Sequence, residues 1–432
     1  MGISKQPPRE FPIKKGLPCQ LKWNHSTVYL TEGRTNSCHR AGNGKYDASG
    51  DVLEFHNIPN KIEDRKKMLA GIWPGNGCEH CKHIEEAGGA SDRTIHLKME
   101  GTSAPPELEH DLSAVHVTPR ILEVYWGNTC NQKCIYCTSH YSSQIHQEEK
   151  RFGTFEKNGV LIDSSWRINQ NIDEDTEKLF NWLHKNMQDL HKVIVLGGEP
   201  FLQKETFRFI EMLEKSDYPD LTLVFFSNHN VEHERFKNWI ARLDRLQKSG
   251  RLDKIQIFFS CDALGKEGEY ARTGLDLSVA LKNFEYILYK TDIEQGINTA
   301  LSLPAVPGMP ALSRYINKCS KTKPIYWSMM KCNQYEIPPR PYMYPGIFGS
   351  LINEWGLREA IETFDTNTKG YPDSVKVNHK TYMKGILSEF EKREPSLKRQ
   401  KQFKIYLNEL DRRRDTDWTK LYPQMYEQLK DL

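Results

Sequence analysis

No run in this 432-residue chain approaches the length of a membrane-spanning helix, which takes roughly 18 or more consecutive apolar residues. The opening "MGISKQPPREFPIKKG" lacks the apolar segment of a secretory signal. Gln6 stands where an N-myristoylation pattern wants Ser or Thr. A cytoplasmic protein without a membrane partner is therefore expected. A strong charge of either sign is also missing: the net charge is +3, so the chain as a whole has no nucleic-acid footprint. One local exception is Lys392 to Arg414, where nine Lys or Arg meet three acids. Phe403, Tyr406, Leu407 and Leu410 recur there at i, i+3, i+4 and i+7, so the run reads as the solvated face of a helix rather than a polyanion site. Repeats and low-complexity tracts are absent. What remains is an ordinary globular composition, 38% apolar and 27% charged, in a chain long enough for two or three domains.

The ten cysteines are the unusual feature. A chain without an export signal keeps its thiols reduced, which argues against a disulfide framework. Cys19, Cys38, Cys78 and Cys81 form one group, Cys130, Cys134 and Cys137 a second, and Cys261, Cys319 and Cys332 stand alone. Two clusters and three leftovers suggest metal.

Residues 1–104 are turn-rich, with "TEGRTNSCHRAGNGKYDASGD", a strand-like "STVYLTEG", a helix over Lys61–Ala70 and a loop at "GIWPGNGCEHC". A segment this irregular has little core and calls for a staple such as bound metal. "GTSAPPELEHD" reads as a linker. From Ile121 onward strands and helices alternate. Strands are expected at Ile121–Trp126, Val193–Leu196, Leu221–Ser227, Ile255–Cys261, Ile297–Leu303 and Pro324–Met330. Helices are expected at Asp175–Leu190, Lys204–Lys215, Glu232–Leu246, Ser278–Tyr289 and Ala311–Lys318. Six strands in this alternation imply a parallel α/β sheet, open or barrel-like, with its chemistry at the carboxyl ends of the strands. Thr138–Asn171 is a long polar insertion placed to act as a lid. The expected layout is a cysteine-rich module over 1–104, the α/β domain over 113–340 and a helical extension over 341–432 that packs on the barrel.

Directly after the first strand comes "VYWGNTCNQKCIYC", which spaces Cys130, Cys134 and Cys137 as C-x3-C-x2-C. Three thiolates on one loop can hold three irons of a [4Fe–4S] cube and leave the fourth iron open. Zinc wants a fourth ligand, for which His140 lies close in sequence, and unligated thiols are the third reading. The second strand ends in "VIVLGGEP", where Gly197 and Gly198 allow a close backbone approach beside the Glu199 carboxylate. Alone, that pair marks only a turn.

The two motifs, in this order on this fold, resemble the radical S-adenosylmethionine (radical SAM) superfamily over roughly residues 120–339. The resemblance implies a partial (β/α)6 TIM-like barrel. It makes Cys130, Cys134 and Cys137 the ligands of a SAM-binding [4Fe–4S] cluster, with Tyr136 as the aromatic before the third cysteine. Gly197, Gly198, Glu199 and Pro200 would hold the methionyl amine. "FFSNHN" resembles the third-strand segment, which puts Ser227 and Asn228 in the SAM pocket, although His229 and Asn230 depart from the usual T-N-G-T. "FFSCDALGKEGEYART" resembles the fourth-strand segment and assigns Ser260, Asp262 and Arg272 to the ribose or carboxylate of SAM. Read without the resemblance, Asp262 is equally a helix cap and Arg272 a surface residue. The implied chemistry is reductive cleavage of SAM to a 5′-deoxyadenosyl radical that takes hydrogen from a substrate. It needs a one-electron donor such as flavodoxin or ferredoxin.

Cys19, Cys38 and "DRKKMLAGIWPGNGCEHCKHIEEAGGASDR" resemble the twitch module, the short form of the SPASM auxiliary-cluster domain, here placed first. The resemblance makes Cys19, Cys38, Cys78 and Cys81 the ligands of an auxiliary [4Fe–4S] cluster. A four-cysteine zinc knuckle fits the spacing as well. Cys261 and Cys332 are core thiols by ordinary burial, or hydrogen-atom donors at the rim. The leading expectation is a radical SAM oxidoreductase acting on a peptide. The alternatives are a dehydrogenase or epimerase of a small molecule such as an aminocyclitol or nucleotide, and a non-catalytic zinc-stabilised binding protein.

Overall fold

A computed structural model describes residues 11–42, 44–75, 77–98, 104–153, 156–157, 160–161, 168–332, 340–364 and 373–432. Among them one sheet of nine strands dominates, built from β1 (His25–Tyr29), β2 (Arg34–Asn36), β3 (Gly44–Lys45), β4 (Ile121–Tyr125), β5 (Lys192–Leu196), β6 (Tyr218–Ser227), β7 (Leu252–Ser260), β8 (Glu294–Leu301) and β9 (Ile325–Lys331). Strands β4 to β9 lie in sequence order and pair in parallel throughout. Helices at Ile172–Asn186, Lys204–Leu213, His233–Lys248, Leu277–Lys290 and Met309–Cys319 connect them. This is the six-unit partial α/β barrel, with every expected strand and helix present.

Burial alternates along β5, β7 and β9. On β7, Ile255, Ile257 and Phe259 are fully covered, whereas Gln256, Phe258 and Ser260 are half-buried. A parallel sheet packed on both faces would be apolar on both. Here one face carries helices and the other stays partly open, which leaves room for a ligand inside the incomplete barrel.

The N-terminal segment is not a separate sheet. β1 pairs in parallel with β4, His25 opposite Ile121 through Tyr29 opposite Tyr125, and β2 and β3 extend the same edge. Its own apolar core is small: Phe11, Ile13, Cys19, Trp23, Met68, Cys78, Leu108 and Val117. Much of its interior is polar instead. The buried Lys61 ammonium lies 2.8–2.9 Å from Ser26 Oγ, Thr35 Oγ1 and the carbonyls of Asn36 and Phe55.

The C-terminal extension packs against the last strands, with Trp327 edge-on to Phe364 at 5.1 Å and Lys331 paired to Glu389 at 2.5 Å. Its helix Leu397–Arg414 buries Phe403, Tyr406, Leu407 and Leu410 as the spacing predicts. The basic run is not wholly solvated, however. Arg413 is buried and the Arg414 side chain is only 3% exposed. The expected lid lies partly outside the described residues; within them it contributes the helix Ser143–Phe152.

Candidate functional site

The cysteine loop leaves β4 at Tyr125 and is stitched on three sides. Ser143 Oγ donates to the carbonyl of Cys130, and Ser142 Oγ donates to that of Gln132 at 2.6 Å while capping the helix at Ile145 N. Lys133–Cys134 pairs antiparallel with Arg272–Thr273, which sets Arg272 opposite Cys134. Burial raises the pKa of all three thiols, with Cys137 pushed up to about 12. Bare thiolates are therefore disfavoured, and bound cationic metal is what would hold them deprotonated. Among the described residues no three His, Cys, Asp or Glu side chains converge on one metal ion. A zinc would need its sulfurs each about 2.3 Å from one point. In a [4Fe–4S] cube each thiolate bonds its own iron, and three thiols with no fourth donor suit that description. His140, the nearest candidate for a fourth ligand, turns to Glu32 instead, with Nδ1 3.6 Å from Oε1.

The glycine turn docks on this loop. Gly198 has φ of 50°, and a Cβ there would lie 2.3 Å from the Thr129 carbonyl oxygen, so the position is closed to any side chain. Gly197 is also left-handed, at φ 80°. Glu199 N donates to the same Thr129 carbonyl at 2.8 Å. Gln203, which the sequence did not single out, donates through Nε2 to the Gly197 carbonyl. The Glu199 carboxylate is fully buried. It accepts from Ser227 Oγ at 2.8 Å, Asn228 N at 2.6 Å and Phe201 N at 3.1 Å. Burial raises its pKa to about 7 against these donors and the charge of Arg272. Pro200 starts the short turn after it and is buried. Ser227 and Asn228 thus meet Glu199 directly, and Asn228 Nδ2 also reaches to 3.9 Å from Cys130 Sγ.

The residues after the fourth barrel strand form a second junction. Asp262, fully buried, accepts from Tyr136 OH at 2.6 Å, Arg272 Nη2 at 3.0 Å and Ala300 N at 2.9 Å. Arg272 Nη1 lies 3.8 Å from Cys134 Sγ, and its guanidinium carbon stands 5.7 Å from the Tyr136 ring centroid. Burial works against this cation, but Asp262, Tyr136 and Cys134 outweigh it and raise its pKa well above the ordinary value. Asp262 and Arg272 are neither cap nor surface: they brace the cysteine loop. Arg272 Nε has no partner. Ser260 is half-buried on the open face.

In the N-terminal segment Cys19, Cys78 and Cys81 are buried and Cys38 is half-buried. Cys19 and Cys78 both couple electrostatically to it, Cys78 also couples to Cys81, and burial raises Cys19 to about 12 and Cys78 to about 11. Gly77 carries φ of 98° where a Cβ would overlap the Arg40 carbonyl, which lets the Cys78 segment lie against the Cys38 loop. The buried Lys22 ammonium, paired to Asp64 at 2.5 Å, faces Cys78 and Cys38. The sequence did not anticipate Glu123, on the open face of β4, which lies 3.3 Å from His25 Nε2 and 3.6 Å from His39 Nε2. Cys261 and Cys332 are buried, and both are influenced by the Asp262–Arg272 pair.

Residues 124–283 match the family model described as the Radical SAM superfamily. No curated protein matches the chain. Among solved structures, the chain is similar to native anSMEcpe with bound AdoMet and Kp18Cys peptide, at 16% identity and a TM-score of 0.35. That likeness covers 56% of this chain and 59% of the other. No helix among the described residues is long and apolar enough to cross a membrane.

Proposed function

We propose, from the match of residues 124–283 to the Radical SAM superfamily model, that the chain is a radical SAM oxidoreductase modifying a peptide, with an auxiliary cluster in its N-terminal module as electron acceptor. When bound, the [4Fe–4S] cluster and SAM supply the radical that takes a hydrogen atom from substrate. The chain's residues bind and orient. Cys130, Cys134 and Cys137 would hold the cluster, Arg272 and Tyr136 brace the loop, and Gly197–Glu199 with Ser227 and Asn228 would receive the methionyl end of SAM. Ser260 and Asp262 stand at the next strand end for the ribose side.

The observation that carries the oxidative reading is the position of the four N-terminal cysteines. They belong to a segment whose strand β1 pairs with barrel strand β4, and that continuity with the barrel's sheet supports a role for a centre there in the same reaction. A four-thiolate centre has no open iron for substrate, which leaves electron acceptance or support as its roles. The polypeptide substrate rests on the resemblance to twitch modules, and the electron donor would be a flavodoxin or ferredoxin.

The test is anaerobic reconstitution with iron and sulfide, followed by incubation with SAM, reductant and host extract. The expected outcome is roughly eight irons per chain, formation of 5′-deoxyadenosine, and a peptide lighter by two hydrogens. Stoichiometric zinc in place of iron in the N-terminal module would remove the electron acceptor. A small molecule as the only product would remove the peptide.

A further inference from the structure

Two side chains of the C-terminal extension, and Arg340 immediately before it, reach back to the cysteine loop, and each donates to a backbone carbonyl of that loop. Arg414 Nη1 donates to Lys133 O at 2.9 Å, Tyr406 OH to Ile135 O, and Arg340 Nη1 to Cys137 O at 3.3 Å. All three donors are buried. Arg414 does more: its Nε and Nη2 lie 3.1 Å from the two Glu148 oxygens, and Nη1 also reaches Thr273 Oγ1 at 3.2 Å. One guanidinium thus ties the insertion helix, the cysteine loop and the strand opposite Cys134. Lys133 closes the group with Nζ 3.0 Å from Glu148.

A loop that must present three thiols toward one centre pays for its order in backbone entropy, about 1–2 kcal/mol per fixed residue. It must also resist the mutual repulsion of the thiolates. Buried, charge-assisted hydrogen bonds to its carbonyls oppose both. Nothing in a basic helix that only covered a barrel would require its last arginine to be buried in a fork. We infer that the extension is a clamp on the cluster loop, with Tyr406 and Arg414 as positioning residues that keep the three thiols in register for the SAM-binding cluster. The inference rests on the radical SAM reading of that loop.

Two conservative variants test it in the reconstituted full chain. Tyr406→Phe removes one hydroxyl from a packed ring. Arg414→Lys keeps the charge and loses the fork, which a compact ammonium cannot reproduce. The readouts are the electron paramagnetic resonance spectrum of the reduced enzyme, its change on adding SAM, and the rate of cluster loss in air. Only a cluster with an open iron responds to SAM, so the auxiliary iron does not interfere. In each variant the SAM-induced change is expected to broaden or vanish, and the responsive cluster to be lost at least tenfold faster. A lower Tm with wild-type spectrum, SAM response and air lifetime in both variants would overturn the clamp, because that is what a merely stabilising helix would give. A wild-type enzyme with no SAM-responsive cluster would instead bring down the radical SAM reading of the loop, and the clamp with it.

Discussion

Glu199 is a carboxylate with no exposed surface and a pKa raised to about 7 by burial. In the SAM-free protein this makes it a source of pH-dependent instability. Between the ordinary carboxylate pKa and about 7 the folded state binds the proton that the unfolded state has released. Stability therefore falls as pH rises through that window, by about 1.4 kcal/mol per pH unit and roughly 3 kcal/mol in all. Glu199→Gln, which cannot ionise, should lose that slope, and thermal unfolding from pH 4.5 to 8 in both proteins measures the difference. Equal slopes would mean that the Ser227, Asn228 and Phe201 donors already compensate the charge. If the carboxylate meets the methionyl amine, the variant should also bind SAM about tenfold more weakly, in line with a lost hydrogen bond to a charged group. The sequence showed Glu199 through its motif. The Asp262–Arg272–Tyr136 brace was not legible as a set of contacts: its members lie up to 136 positions apart, and only the fold brings them together.

At the scale of elements, sequence periodicity and structure agree because the helix-facing positions are strongly apolar. β7 runs Leu252–Ser260 where alternation indicates Ile255–Cys261, and the helix Leu277–Lys290 begins one residue earlier than expected because Asp276 caps Ser278 N and Val279 N. Two features escaped. β1 joins the barrel edge through main-chain pairing, which leaves no mark in side-chain pattern. Arg413 and Arg414 read as solvated because the Gly153 carbonyl and the Glu148 carboxylate they reach are distant in sequence. The contact between the glycine turn and the cysteine loop gives the prediction at this scale. Gly198→Ala puts a methyl against the Thr129 carbonyl at a backbone angle that disfavours side chains, at a strain of about 1–3 kcal/mol. The turn and the loop must separate. The variant should fold, retain the N-terminal iron, and lose SAM-dependent formation of 5′-deoxyadenosine. Wild-type cleavage of SAM would show that the two loops tolerate separation.

At the scale of the whole molecule, the barrel and its extension rest on two large apolar cores, the first strands of the N-terminal module sharing one of them through Val28, Leu30, Leu53 and Phe55, whereas the cluster around Cys19, Trp23 and Cys78 holds only eight buried apolar residues beside a polar interior around Lys61 and Arg65. So small a core is what a bound centre normally supplements. Cys81 lies in the helix Glu79–Glu86 and Cys78 at its N-cap, so neither is a strand residue of the β1–β4 pairing. Replacing both by Ala should therefore unseat the auxiliary centre without unpairing the sheet. Iron is expected to fall by half and the module to melt at a lower temperature. Cleavage of SAM should continue, uncoupled from product, because the loop of Cys130, Cys134 and Cys137 has its own braces in Arg272, Tyr406 and Arg414. The substrate radical would then have no electron acceptor, and it would regain hydrogen rather than lose a second one. Full yield of oxidised product in this variant would assign the N-terminal centre a purely structural role. A product unchanged in mass except for one solvent deuterium would turn the reaction into an epimerisation, with Cys261 or Cys332 beside the Asp262–Arg272 pair as the thiol able to return hydrogen.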